Sequence, residues 1–157
     1  MESITIKPHH FMDIIKLYGA GIKTFIPDEK MGHDFYKVAN TIITNPTIEL
    51  NLTIQADDIC KPCKMCKNNI CVDVVEHIEV YNSKYTYNET LDRRLIHLLN
   101  LDIDKLYKAQ ELCRIMLENH KSIFMIWREE SNTMTIRRHD MFVLGARQYL
   151  DNTNSNL

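Results

Sequence analysis

A chain of 157 residues with 45% hydrophobic content carries enough apolar material for one core and too little for two. Its formal net charge of −2 at pH 7 provides no global attraction to nucleic acid or to an anionic membrane, both of which call for a basic excess. No apolar run approaches the roughly 18 residues of a spanning helix, and the most apolar stretch, Ser122 to Trp127, is core-sized. One domain over residues 1–150 is expected, followed by a polar tail, residues 151–157, that frays.

The elements follow in order. Ser3 to Ile6 alternates polar and apolar residues and meets Pro8, which suits the first turn of a helix, so a short strand feeds a helix there. That helix carries Phe11, Ile14, Ile15 and Tyr18 on one face and should stop at Gly19 in a left-handed cap. A second helix is read over Asp28 to Ile43, with Met31, Phe35, Val38, Ala39 and Ile42 at helical spacing. Thr47 to Ile54 alternates strictly, placing Ile48, Leu50, Leu52 and Ile54 on one side of a strand. Beyond residue 71 the pattern is helical over Asn88–Leu99, Asp102–His120 and Arg137–Leu150, with Cys113 in an apolar stripe as a buried small hydrophobe.

The fold class is therefore α+β, a mostly helical single domain with a small two-stranded sheet and a cysteine-rich loop. Strand, helix, helix, strand is the order of a crossover connection, so the two strands should pair in parallel. His9 and His10 would then lie near Cys60, since both follow the carboxyl ends of neighbouring strands, where open sheets place their sites.

Four of the five cysteines, Cys60, Cys63, Cys66 and Cys71, fall within twelve residues in a C-x2-C-x2-C-x4-C run. Thiolates two residues apart can turn back on one centre, so the run points to a metal or iron–sulfur site. Disulfides are the competing use. No apolar leader segment precedes the run, which favours a reducing cytoplasmic setting and thiolates over cystines. Structural zinc sites commonly join two knuckles across a long insert, whereas a tight run resembles a ferredoxin loop, whose fourth cysteine serves a second cluster. The chain has no second run, so three cysteines (Cys60, Cys63 and Cys71) plus one outside ligand is an alternative to all four.

His9, His10 and Asp13 are the candidate outside ligands. Adjacent histidines point in different directions, so one at most binds metal, and Asp13 lies at helical spacing to orient an imidazole. Asp57 and Asp58 precede the loop, where at least one should act as a turn or cap. Lys61, Lys64 and Lys67 alternate through the loop and are read as solvated. His33, His77, His97, His120 and His139 form no recognisable ligand motif.

Pro8-His9-His10, with Asp57-Asp58-Ile59-Cys60-x-x-Cys63 and a further cysteine ahead of a Leu-rich helix bearing Asp92, resembles an uncharacterised bacterial and archaeal family of small cysteine-rich proteins. That family is labelled iron–sulfur binding. The resemblance spans roughly residues 4–101 and implies a cluster, without implying a reaction. The family pattern often has a cysteine where this chain has Asp13, so the missing thiolate would be replaced by Asp13, a histidine or Cys66.

The leading expectation is an iron–sulfur protein carrying a [4Fe-4S] cluster, with a redox or electron-transfer role and an unknown redox partner; zinc is the alternative metal. An enzyme using an open iron position of a three-cysteine cluster, for example in desulfuration of a small-molecule substrate, is the second. A zinc-stabilised interaction module is the third.

Overall fold

The computed structural model describes residues 2–155. Among the described residues there are six α-helices, a three-stranded sheet and a separate two-stranded hairpin within the cysteine loop. The mostly helical α+β reading holds.

Strand β1 (Ser3–Ile6) and strand β2 (Glu49–Leu52) pair in parallel, with Ile4 opposite Leu50 and Ile6 opposite Leu52. The expected parallel pairing is therefore present. Alternation decides the faces: Ile4, Ile6, Leu50 and Leu52 are buried while Glu49 and Asn51 point outward.

Helix α1 (Pro8–Gly19) begins where Pro8 supplies a preset φ and has no N–H to leave unsatisfied. Its buried face holds Phe11, Met12, Ile14, Ile15 and Tyr18. Gly19 is the last helical residue and not the left-handed cap; the positive φ of 107° falls at Gly21. Gly19 serves a different purpose. A Cβ there would meet Met141 O at 2.0 Å, and one at Gly145 would meet Ile15 O at 2.0 Å, so two glycines let the backbones of α1 and α6 (Asn132–Ser155) touch.

Helix α2 (Phe35–Thr44) starts later than the apolar spacing suggests. Gly32 at φ 71° interrupts the segment, and the neighbouring backbone bonds to the cysteine loop: Lys64 N donates to Met31 O at 2.8 Å and Asp34 N to Ile59 O at 3.2 Å. Met31 is thus a support for the loop and not a helix residue.

After the hairpin strands β3 (Cys66–Lys67) and β4 (Ile70–Cys71), helix α3 (Lys84–Leu98) opens at Ser83, whose hydroxyl accepts from Thr86 N. The helix expected over Asp102–His120 is instead a strand, β5 (Leu106–Lys108), followed by α4 (Ala109–Glu118). Asn100 turns the chain at φ 52°, and Tyr107 points inward while Leu106 and Lys108 point out, a period of two that the longer helical stripe obscures. β5 pairs antiparallel with β2, so β2 becomes the central strand of three and not one of two.

A short 3₁₀ turn (His120–Ser122) and α5 (Ile123–Ile126) lead to α6, which packs along α1. Trp127, Phe142 and Tyr149 are the largest buried groups contributed by this end of the chain, and Tyr149 donates to Ile42 O at 2.8 Å. Cys113 is fully buried, as its stripe predicts. Helix α6 runs on through Asp151 to Ser155, with Thr153 buried, and residues 156–157 of the expected tail lie outside the described residues.

The α1–α6 crossing gives a test. Gly145→Ala gains about 1 kcal/mol of helix propensity, but its methyl would meet backbone that no rotamer change can move. Overpacking should win, lowering unfolding free energy by about 2 kcal/mol or more, measured by urea denaturation; a variant more stable than the parent would show that the helices separate freely.

Candidate metal centre and adjoining cavity

The junction between β1 and α1 meets the start of the cysteine loop at one buried carboxylate. Asp57 is fully buried, and its Oδ2 accepts from Lys7 N at 2.8 Å and lies 2.7 Å from His10 Nδ1. Its Oδ1 accepts from Ile59 N at 3.1 Å and Cys60 N at 3.0 Å. The neighbouring Asp58 ties the same strand: its Oδ2 accepts from Thr5 N, and its own N–H donates to Thr5 O. Both aspartates therefore organise backbone.

His10, Asp57 and Cys60 offer ligand atoms that all lie within 4.8 Å of one another, the one such trio of His, Cys, Asp or Glu among the described residues. Two of these groups are better placed to bind metal than the third. Four hydrogen-bonding partners already occupy the Asp57 oxygens, whereas anchoring His10 through Nδ1 leaves Nε2 with an unused lone pair. A carboxylate holding one imidazole nitrogen so that the other faces a metal is the usual outer support of a ligating histidine.

Lys7 is only 3% exposed and its Nζ lies 3.7 Å from Cys60 Sγ. Burial opposes its charge, but Cys60, Asp57 and Asp92 raise its pKa and prevail. For Cys60 the balance runs the other way. Burial, reinforced by the Asp57 charge, pushes its thiol up to about 12 despite Lys7. Such a thiol is a poor free nucleophile at neutral pH, and it would ionise on meeting a metal, whose charge outweighs these local effects.

The loop climbs away from this base through successive turns, with Cys63 N donating to Cys60 O at 2.9 Å and Cys66 N to Cys63 O at 3.0 Å. Cys66 and Cys71 then face each other across the β3–β4 hairpin. All four loop cysteines are free thiols and partly exposed, while Lys61, Lys64 and Lys67 are exposed. Cys60 is thus the cysteine that the fold brings to the histidine side.

His9 and His10 diverge. Their ring centroids are 4.3 Å apart, yet His9 turns its Nδ1 to Asp92, 2.9 Å away on α3. Asp92 Oδ1 also accepts from His9 N at 2.8 Å, and its Oδ2 is buried without a partner. Asp13 orients neither imidazole. It is paired with Arg138 at 2.5 Å and Lys16 at 3.5 Å. Burial would raise its pKa, but Arg138 and Lys16 hold it down at about 2.

Both histidines and Asp13 line a cavity of about 620 Å³ together with His33, Tyr87 and Arg138. Arg138 also lies over the Trp127 ring, 4.2 Å from its centroid. Opposite, Glu130 accepts from Tyr87 Oη at 3.1 Å and meets His77 Nε2 at 3.0 Å. Lys7, Arg138 and Glu130 carry no motif in the sequence. Asp92 had one available signal: an aspartate between Leu91 and Leu95 on an apolar helix face needs a buried partner.

Asp57 carries the sharpest consequence for stability. Burial would raise its pKa, but the charge and hydrogen bond of His10, with Lys7, hold it well below the usual range. A depressed folded-state pKa contributes stability above the unfolded value of about 3.9, which is lost as pH falls through the folded value. Asp57→Asn should therefore cost about 3 kcal/mol at pH 7 and flatten the acid limb of the stability curve below about pH 4. Chemical denaturation from pH 7 to pH 2 measures both; an acid limb unchanged by the substitution would assign it to other carboxyls.

The stretch from residue 28 to residue 128, more than half of the chain, matches a family described as a protein of unknown function, DUF1284. That stretch includes Asp57, the four loop cysteines and Asp92, and leaves His9 and His10 outside. No curated protein and no solved structure matches the chain. Among the described residues no helix is long and apolar enough to cross a membrane. Because the match covers more than half of its length and contains the whole cysteine-rich loop, the chain belongs to the DUF1284 family.

Proposed function

We propose that the cysteine loop holds an iron–sulfur cluster, with Cys60, Cys63, Cys66 and Cys71 as thiolate donors and His10 beside Cys60, and that the protein has a redox or electron-transfer role. The observation supporting this reading is the convergence of His10, Asp57 and Cys60, whose ligand atoms lie within 4.8 Å of one another, with the Lys7 ammonium beside Cys60. The donor set suits the group: thiolates and imidazole are soft or borderline ligands, and a buried cation offsets the negative charge that thiolates bring. When bound, a cluster supplies one-electron transfer. Around it, Cys60 gives up its proton, Lys7 stabilises the resulting thiolate, and Asp57 fixes the His10 ring. The exposed Lys61, Lys64 and Lys67 give the loop a cationic rim suited to an acidic redox partner.

The cavity favours a second reading. A space of about 620 Å³ lined by His9, His10 and Asp13 is of substrate size, which suits an enzyme whose centre is held by Cys60, Cys63 and Cys71 and keeps one position open to a small molecule. In that case His9, anchored by Asp92, would hold or move a proton at Nε2, and Arg138 would orient the substrate from the Trp127 side.

Protein purified without oxygen should be brown and contain iron and acid-labile sulfide. A colourless sample that binds zinc and stays colourless after treatment with iron and sulfide would replace both readings with a zinc-stabilised interaction module. Cys66→Ser separates the first two: a four-thiolate carrier loses its visible absorption, whereas a three-thiolate enzyme keeps it. Cys60→Ser should abolish the absorption in either case.

A further inference from the structure

Residues 66–71 form a hairpin whose turn is only two residues long. Asn68 and Asn69 carry φ of 54° and 65°, the left-handed pair that a type I′ turn requires and that asparagine tolerates better than most residues. This turn matches the twist of the strands and sets their register, with Lys67 opposite Ile70 and Cys66 opposite Cys71. The next ladder bond outward runs from Val72 N to Met65 O at 2.8 Å, so Cys66 and Cys71 occupy the non-hydrogen-bonded pair between two bonded ones.

That position decides what the two thiols can do. Residues opposed at a non-hydrogen-bonded pair have Cα atoms about 4.5 Å apart and side chains on one face, within the range of about 4.4 to 6.8 Å that a disulfide spans. Both thiols are partly exposed, so a soluble oxidant can reach them. The other three cysteines are placed differently: Cys60 turns to Lys7 and His10, Cys63 lies in the turn after it and outside the hairpin, and Cys113 is buried against α6.

We propose that Cys66 and Cys71 are a redox-active pair that closes to a reversible cross-strand disulfide when the loop is free of metal. The oxidant is a low-molecular-weight disulfide such as glutathione disulfide. The Cys66 thiolate attacks one of its sulfurs and expels one glutathione thiolate, forming a mixed disulfide. The Cys71 thiolate then attacks the Cys66 sulfur and expels the second. Two protein thiols are oxidised, one glutathione disulfide is reduced to two glutathiones, and the two protons that the protein thiols lose are taken up by the two expelled glutathione thiolates. The pairing stands on the hairpin register; only its consequence, removal of two thiolates from a metal site at once, rests on the metal-binding reading above.

Metal-free protein is incubated with glutathione disulfide, alkylated and digested with trypsin. Lys67 separates the two cysteines, so the disulfide joins peptide 65–67 to peptide 68–84, whereas Cys60 and Cys63 share the peptide ending at Lys64. The joined pair should dominate and vanish on reduction, and Cys71→Ser should leave glutathione on Cys66. Full alkylation of Cys66 and Cys71, or a link to the peptide ending at Lys64, overturns the proposal. Zinc affinity measured on the same oxidised sample separates the two readings. A loss of about tenfold or more supports both, while joined peptides with unchanged zinc affinity uphold the disulfide and overturn only the ligand role of Cys66 and Cys71.

Discussion

The buried carboxylate of Asp57 takes hydrogen bonds from Lys7 N, Ile59 N and Cys60 N and holds His10 Nδ1, and through these contacts it joins two parts of the chain fifty residues apart. A charge this deep is stable only when hydrogen bonds replace its water, and here four partners do so. Every one of them belongs to the β1–α1 junction or to the first turn of the cysteine loop. The loop therefore leaves the sheet in one direction, with Cys60 delivered beside His10 and Lys7.

That connection depends in turn on the sheet. Parallel pairing of β1 with β2 brings both carboxyl ends to the same edge, so the residues after each strand become neighbours. β5 occupies the other side of β2 and makes it central, which protects the short strands that carry the site. Beneath them the α1–α6 crossing, closed by Gly19 and Gly145, positions Arg138 and Trp127 against Asp13 and the two histidines. Packing and site share the same helix: one face of α1 is core, and its first turn faces the cavity.

The loop itself divides into two parts of different character. Cys60 sits at a charged, half-buried base, where burial keeps its thiol protonated until a metal or strong base takes the proton. Cys66 and Cys71 sit on an exposed hairpin whose geometry comes from two asparagines and not from the core. A run that looks uniform in sequence therefore presents unlike thiols, and chemistry at one end need not follow chemistry at the other.

Short-range patterns determined much of this by themselves. Alternation marked β1 and β2, Pro8 marked the start of α1, and the cysteine spacing marked the loop, because each depends on local backbone geometry that neighbouring residues dictate. The parallel pairing was also legible, since two helices between two strands leave few other arrangements. Only the tertiary structure decided the rest. Asp102–His120 reads as one helix, yet β2 had an open edge whose backbone groups needed a partner, and over Leu106–Lys108 the strand won. Gly19 has the composition of a helix cap, but contact with α6 gave it another use. Asp92 as the partner of His9, Asp57 as that of His10, and Arg138 as that of Asp13 are pairings across long separations, set by which buried groups could reach each other; local sequence signals at most that Asp92 needs a partner, never which one.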